Sequence, residues 1–211
     1  MIIKVCGMRD AENIRQVDEL GTVDWMGFIF FPRSPRHVSE VPTYLPQHCK
    51  RVGVFVNEFL PTILKYARAY NLHLIQLHGD ESPLYCHTLR THSPVGTKII
   101  KTISITTPDD LATIHTYEDN AYKGKVDYFL FETKCKEYGG SGKQFDWDIL
   151  QRYKGKTPFL ITGGIGAEDA EKVKAFHHPQ FVGIDLNSRF ETAPALKDIT
   201  LIDNFIKQIK S

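Results

Sequence analysis

Short, nearly uninterrupted apolar runs recur along the chain roughly 20–30 residues apart, the spacing of alternating strands and helices. They occupy residues 2–6 (IIKVC), 25–30 (WMGFIF), 51–56 (RVGVFV) and 72–77 (LHLIQL). The series continues at 98–103 (KIIKTI), 127–131 (DYFLF), 158–162 (PFLIT) and 181–186 (FVGIDL). Continuous rather than alternating apolar character suits strands covered on both faces, as in a parallel sheet. Between the runs the period changes to that of a helix. Leu60, Ile63, Leu64 and Ala67 share one helical face, as do Ile202, Phe205, Ile206 and Ile209. Ile14, Val17 and Leu20 mark a first helix, with Asp10 as its amino-terminal cap and Gly21 as its stop. Residues 38–49 (VSEVPTYLPQHC) carry Pro42 and Pro46, so a short or irregular helix is expected there. Residues 82–89, 108–117, 146–153 and 168–176 supply the remaining helices.

Eight such strands with no composition break or linker predict one α/β domain over residues 1–211, a (β/α)8 TIM barrel. A doubly wound open sheet would show a glycine-rich fingerprint after its first strand, whereas the first turn here reads CGMRD, with a single glycine.

Charge narrows the partners. Twenty-six basic and 25 acidic residues among 211 leave a net charge of +1 with no basic block, which argues against nucleic acid. The apolar runs are too short to span a membrane, and the amino terminus lacks a signal-like region. Cys6, Cys49, Cys86 and Cys135 lie far apart and show no zinc spacing, so no metal is expected. A cytoplasmic enzyme or binding protein with reduced thiols fits this balance.

A barrel of this kind places its chemistry at the carboxyl ends of its strands. Those ends hold Cys6, FPRSPR with Arg36, Asn57, QLH with His78, Glu132, TGG with Gly163 and Gly164, and DLNS with Asp185, Asn187 and Ser188. Gly163 and Gly164, paired with the polar loop at Asn187 and Ser188, suit an anion such as phosphate. Arg36 suits bidentate pairing with a carboxylate, and His78 suits a hydrogen-bond donor or a satisfied polar group. Residues 138–143 (YGGSGK) are not a nucleotide P-loop. That motif needs glycine six positions before its lysine and Ser or Thr after it, where this chain has Glu137 and Gln144. The glycines fit a loop over the barrel mouth instead.

Taken together, KVCGM, GFIFFPRSPR, RVGVFVN, QLHGDE, YGGSGKQFDW, TGGI and GIDLNS closely resemble the phosphoribosylanthranilate isomerase family of tryptophan biosynthesis, in that family's order. The resemblance implies an Amadori rearrangement with Cys6 as general base and Glu132 as general acid. It implies Arg36 on the anthranilate carboxylate, phosphate at Gly163–Gly164 and Asn187–Ser188, and Asp185 on substrate hydroxyl groups. It implies no metal or organic cofactor, and a phosphorylated sugar–anthranilate as the partner of a monomer or homodimer. Two positions depart from the family pattern. Glu132 stands where aspartate is usual, and Asn187-Ser188-Arg189 stands where Ser-Ser-Gly is frequent. The first departure frames an alternative, a phosphosugar-binding barrel with impaired catalysis.

Overall fold

The computed structural model describes residues 1–118, 126–133 and 144–211, so the glycine loop at 138–143 and Cys135 lie outside the described residues. The apolar runs form eight strands: β1 (Ile2–Val5), β2 (Trp25–Ile29), β3 (Lys50–Phe55), β4 (Leu74–Leu77), β5 (Lys98–Ile105), β6 (Tyr128–Thr133), β7 (Phe159–Ile161) and β8 (Phe181–Leu186). They pair in sequence order, and β8 returns to β1 to close the barrel. All the pairings are parallel.

Alternation along each strand decides what the barrel encloses, because every second side chain points to the same face. Trp25, Val52, Leu74, Ile100, Leu130 and Leu160 form their own buried cluster, apart from the larger one that the other strand face shares with the helices. They are the packed interior. Two positions further along the same strands come Gly27, Val54, Gln76, Thr102, Glu132 and Thr162. At Gln76, Thr102, Glu132 and Thr162 the interior thus passes from hydrocarbon to polar groups within one layer, at the carboxyl ends.

Helices cover the outside. α1 (Ala11–Glu19) is capped by Asp10, whose carboxylate accepts from Asn13 N at 2.8 Å, and Gly21 follows its end in a left-handed conformation (φ +65°). α2 (Leu60–Ala69) and α3 (Pro83–His92) each carry proline in the first turn, where no amide donor is needed. α4 (His115–Glu118) and α5 (Ala170–Ala175) are short. α6 (Ile199–Lys210) buries Ile202, Phe205, Ile206 and Ile209, each stabilising by about 1.5–3 kcal/mol. After β8, β9 (Glu191–Ala193) and β10 (Leu196–Lys197) make a small antiparallel hairpin. No helix among the described residues is long and apolar enough to cross a membrane.

Some expected helices are shorter or tighter. Pro108–Ile114, Trp147–Arg152 and Ala167–Asp169 are 3-10 turns, the first and last running into α4 and α5. The helix expected at 38–49 does not form. Its two prolines remove donors, and Asp18 of α1 supplies the acceptor that organises the segment instead. The Asp18 carboxylate accepts from Tyr44 Oη (2.8 Å), Gln47 N (2.7 Å), His48 N (3.0 Å) and both N and Sγ of Cys49 (3.2 and 3.3 Å). Burial alone would raise its pKa, but these donors outweigh burial and bring it down to about 2.

Asp18→Asn should therefore cost on the order of 2 kcal/mol at neutral pH. The sign follows from the depressed folded value. The contribution is whole above the unfolded value of 3.8 and is lost as pH falls through about 2. Urea unfolding of both proteins at pH 7 and near pH 2 checks this, and an Asn penalty that does not shrink in acid refutes it.

Candidate active site

β1 ends at Val5, and Cys6 is held at the rim by its own amide, which donates to Leu186 O of β8 at 2.8 Å. The chain then turns at Gly7 (φ +78°), and the amides of Gly7 and Met8 both donate to Gly27 O of β2 at 3.0 Å. Gly7 is required twice over. Besides its left-handed backbone, a Cβ there would lie 2.6 Å from Arg36 Cδ and 2.8 Å from Asn187 Oδ1. That turn brings Cys6, Arg36 and Asn187 together. Gly27 makes room for the thiol, since a Cβ there would sit 2.7 Å from Cys6 Sγ. Gly27→Ala should displace Sγ and lower kcat/KM about a hundredfold with the fold retained. Steady-state assays beside circular dichroism test this, and full activity would show that the thiol tolerates the crowding.

Lys4 lies two positions before Cys6, on the same strand face. Its ammonium is fully buried and donates to Asp185 Oδ2 at 2.8 Å. Burial would lower the Lys4 pKa, but Asp185 and Cys6 hold it above its ordinary value. Burial likewise pushes the Cys6 thiol up. Lys4 pulls it back, Asp185 pushes it further up, Lys197 pulls it down, and the balance is upward. Asp185 Oδ1 is buried with no hydrogen-bond partner among the described residues, an acceptor suited to a substrate hydroxyl.

On the other side of the mouth, Glu132 continues the interior face of β6, separated from β1 by β7 and β8. Its Oε1 lies 3.4 Å from His78 Nε2. Gln76 Nε2 and Thr102 Oγ1 sit 3.0 and 3.2 Å from His78 Nδ1, so Nδ1 accepts and Nε2–H faces Glu132. The backbone behind His78 is pinned by Glu81, which accepts from Asn57 N (2.8 Å) and Gly79 N (3.0 Å) and pairs with buried Lys101 at 3.2 Å. Asn57 Oδ1 accepts from Asp80 N. Asn57 therefore serves the loop.

Between these two sides, Thr162 Oγ1 donates to Asp185 O at 3.1 Å, and Gly163 and Gly164 follow in left-handed conformations (φ +93° and +68°). Gln144 Nε2 donates to Gly164 O at 3.0 Å. Ser188 opens a 3-10 turn, Ser188–Phe190, and Arg189 of that turn pairs with Glu168 beside Gly166. Asn187 Oδ1 accepts from Lys197 Nζ at 2.8 Å. The Arg36 guanidinium is met side-on by Glu191, with Nε at 2.9 Å from Oε1 and Nη2 at 2.7 Å from Oε2.

All nine expected site residues stand at the carboxyl ends of the strands, in three linked groups. Lys4, Glu191 and Lys197 are the residues the sequence reading passed over. Lys4 carried a signal, because a lysine inside an apolar strand must find a carboxylate. Glu191 and Lys197 carried none. Around Cys6 the cations Lys4, Arg36 and Lys197 outnumber the carboxylates Asp185 and Glu191 by one, a field that favours an anion.

A closed parallel barrel with a thiol, a carboxylate and a surplus of cations gathered at the carboxyl ends of its strands defines a protein of the (β/α)8 class. The sequence comparisons are specific: the profile of the family described as N-(5'phosphoribosyl)anthranilate (PRA) isomerase matches residues 3–208. The chain belongs to that family. The N-(5'-phosphoribosyl)anthranilate isomerase of Phocaeicola vulgatus is 53% identical over 210 residues, covering 100% of this chain and 98% of that protein. The crystal structure of phosphoribosyl anthranilate isomerase from Thermotoga maritima is 30% identical, with a TM-score of 0.79 and coverage of 100% and 99%. A phosphoribosyl anthranilate isomerase solved with reduced 1-(o-carboxyphenylamino)-1-deoxyribulose 5-phosphate is 27% identical, with a TM-score of 0.78 and the same coverage.

Proposed function

We propose that Cys6 and Glu132 divide the proton transfers by which this chain performs its family's reaction. That reaction is the Amadori rearrangement of N-(5'-phosphoribosyl)anthranilate to 1-(2-carboxyphenylamino)-1-deoxyribulose 5-phosphate, in tryptophan biosynthesis. Glu132 donates a proton to the furanose ring oxygen, the C1′–O bond breaks, and a protonated Schiff base forms. The Cys6 thiolate removes the C2′ proton, and the electron pair of that bond neutralises the iminium. The resulting enolamine tautomerises to the ketone. The observation that carries this reading is that the two groups stand at the carboxyl ends of β1 and β6, three strands apart round the same mouth. A thiolate is a competent carbon base, and a carboxylic acid across the sugar separates the two transfers.

Arg36 receives the anthranilate carboxylate, and Asp185 Oδ1 accepts from a sugar hydroxyl. Backbone amides at Gly163 and Gly164 and the loop at Asn187 and Ser188 hold the phosphate. His78 orients Glu132. The residues 1–211 act as one cytoplasmic barrel domain, and sedimentation equilibrium decides between monomer and homodimer. The impaired-barrel alternative has no support. The family match spans the chain, and Glu132 keeps its carboxylate at the mouth against His78. The direct test follows the loss of anthranilate fluorescence as phosphoribosylanthranilate, generated in situ, is consumed. Failure of the wild type to turn it over would overturn the reading.

A further inference from the structure

Arg36 is the group assigned to the substrate carboxylate, yet its guanidinium already faces a carboxylate inside the protein. Glu191 takes the Nε and Nη2 edge with two short parallel hydrogen bonds, using two of the five N–H donors. Among the described residues, three donors remain for a ligand. Such a pair would neutralise the arginine if it stood alone, and a neutral pair attracts no anion. It does not stand alone. Lys197 Nζ, fully buried, lies 2.6 Å from the same Glu191 Oε1 and 2.8 Å from Asn187 Oδ1. With Lys197 charged against Glu191, the triad carries one net positive charge, presented through the remaining donors of the partly buried Arg36. Burial would raise the Glu191 pKa, but Arg36 and Lys197 more than offset it, so the carboxylate stays ionised.

The triad is rigid by construction. The Glu191 side chain is 4% exposed, and its Oε1 also accepts from Ala195 N at 3.2 Å, across a hairpin turn in which Ala195 is left-handed (φ +68°). The backbone of Lys197 is clamped to α1, with Lys197 N donating to Asn13 Oδ1 at 2.8 Å and Asn13 Nδ2 to Lys197 O at 2.9 Å. The arginine stem lies over Gly7, directly beside Cys6.

We propose that Glu191, backed by Lys197, is the positioning residue that locks the Arg36 guanidinium for the substrate carboxylate and so sets selectivity for carboxylate-bearing aryl groups. The proposal rests on the assignment of Arg36 above. Fixing the rotatable bonds of the arginine side chain before the ligand arrives removes an ordering cost from binding. It also leaves the remaining donors in one plane for a second bidentate contact.

The test uses two probes, reduced 1-(2-carboxyphenylamino)-1-deoxyribulose 5-phosphate and its counterpart lacking the carboxyl group, titrated calorimetrically. The ratio of their affinities measures what the carboxylate contributes. Glu191→Gln should lower that ratio by about tenfold or more, the loss expected when a charge-assisted contact is misaligned. Affinity for the decarboxylated probe should stay within about threefold, and KM should rise more than kcat falls. A merely structural role for Glu191 would weaken both probes alike, and that result overturns the proposal. Arg36→Met separates the two readings. If it leaves the ratio unchanged, the assignment of Arg36 itself fails. If it collapses the ratio while Glu191→Gln preserves it, Arg36 stands and the role of Glu191 falls. Should Glu191→Gln not fold, Glu191→Asp carries the same test, because a side chain one methylene shorter sets its carboxylate back from Nε and Nη2 on the order of 1 Å. A wild-type ratio in that variant overturns the proposal.

Discussion

Cys6→Ser should lower kcat/KM for phosphoribosylanthranilate by about 10²–10⁴-fold, the range one general acid or base contributes. Serine is slightly smaller than cysteine beside Gly27 and leaves the backbone hydrogen bond to Leu186 O intact, so circular dichroism and the urea midpoint should match the wild type. What it loses is the capacity to ionise. The pH dependence of the wild type is a second readout. Burial raises the thiol pKa, so only a fraction is thiolate at neutral pH and the fraction grows with pH. On the acidic side of that pKa the thiolate fraction grows by about tenfold per pH unit, and the base-dependent step should quicken with it. Retention of most activity in Cys6→Ser would remove Cys6 from the role of base.

Glu132→Gln should cost as much, about 10²–10⁴-fold, because an amide keeps the contact with His78 but has no acid proton to give. Glu132→Asp discriminates more finely. Aspartate is one methylene shorter, on the order of 1 Å, and a misplacement of that size can cost about a hundredfold. In this chain His78 stands where it meets the longer acid, so the aspartate variant should be slower than the wild type yet far faster than the glutamine variant. An impaired barrel would give the reverse order, with the wild type inactive and aspartate restoring turnover.

The barrel was legible because strands buried on both faces are written as apolar runs, and their carboxyl ends follow directly. Cys6, Arg36, His78, Glu132, Gly163, Gly164, Asp185, Asn187 and Ser188 were all found at those ends. The irregular helices were less legible. Hydrophobic period distinguishes a 3-10 turn from an α-helix poorly over six or seven residues, as at Trp147–Arg152 and Pro108–Ile114. The segment at 38–49 depended on a carboxylate from another element, Asp18, which no local pattern announces. The partners of the site were hidden by distance along the chain. Arg36 and Glu191 are 155 positions apart, and Lys4 and Asp185 are 181 apart. A lysine and a glutamate that read as ordinary surface residues become buried only when the barrel closes.

That closure has a consequence for the life of the molecule. The Cys6 sulfur is made before every other strand-end group, while the seam that shelters it, β1 against β8, needs a strand made some 181 positions later. At ribosomal speeds of roughly 5–20 residues per second, the interval is about 10–40 s. Throughout that time the nascent thiol has neither its acidic neighbour nor its roof, and oxidants or alkylating agents meet it as an open side chain. Once the seam forms, Cys6 is 4% exposed. The period of greatest chemical vulnerability for this enzyme is its own synthesis.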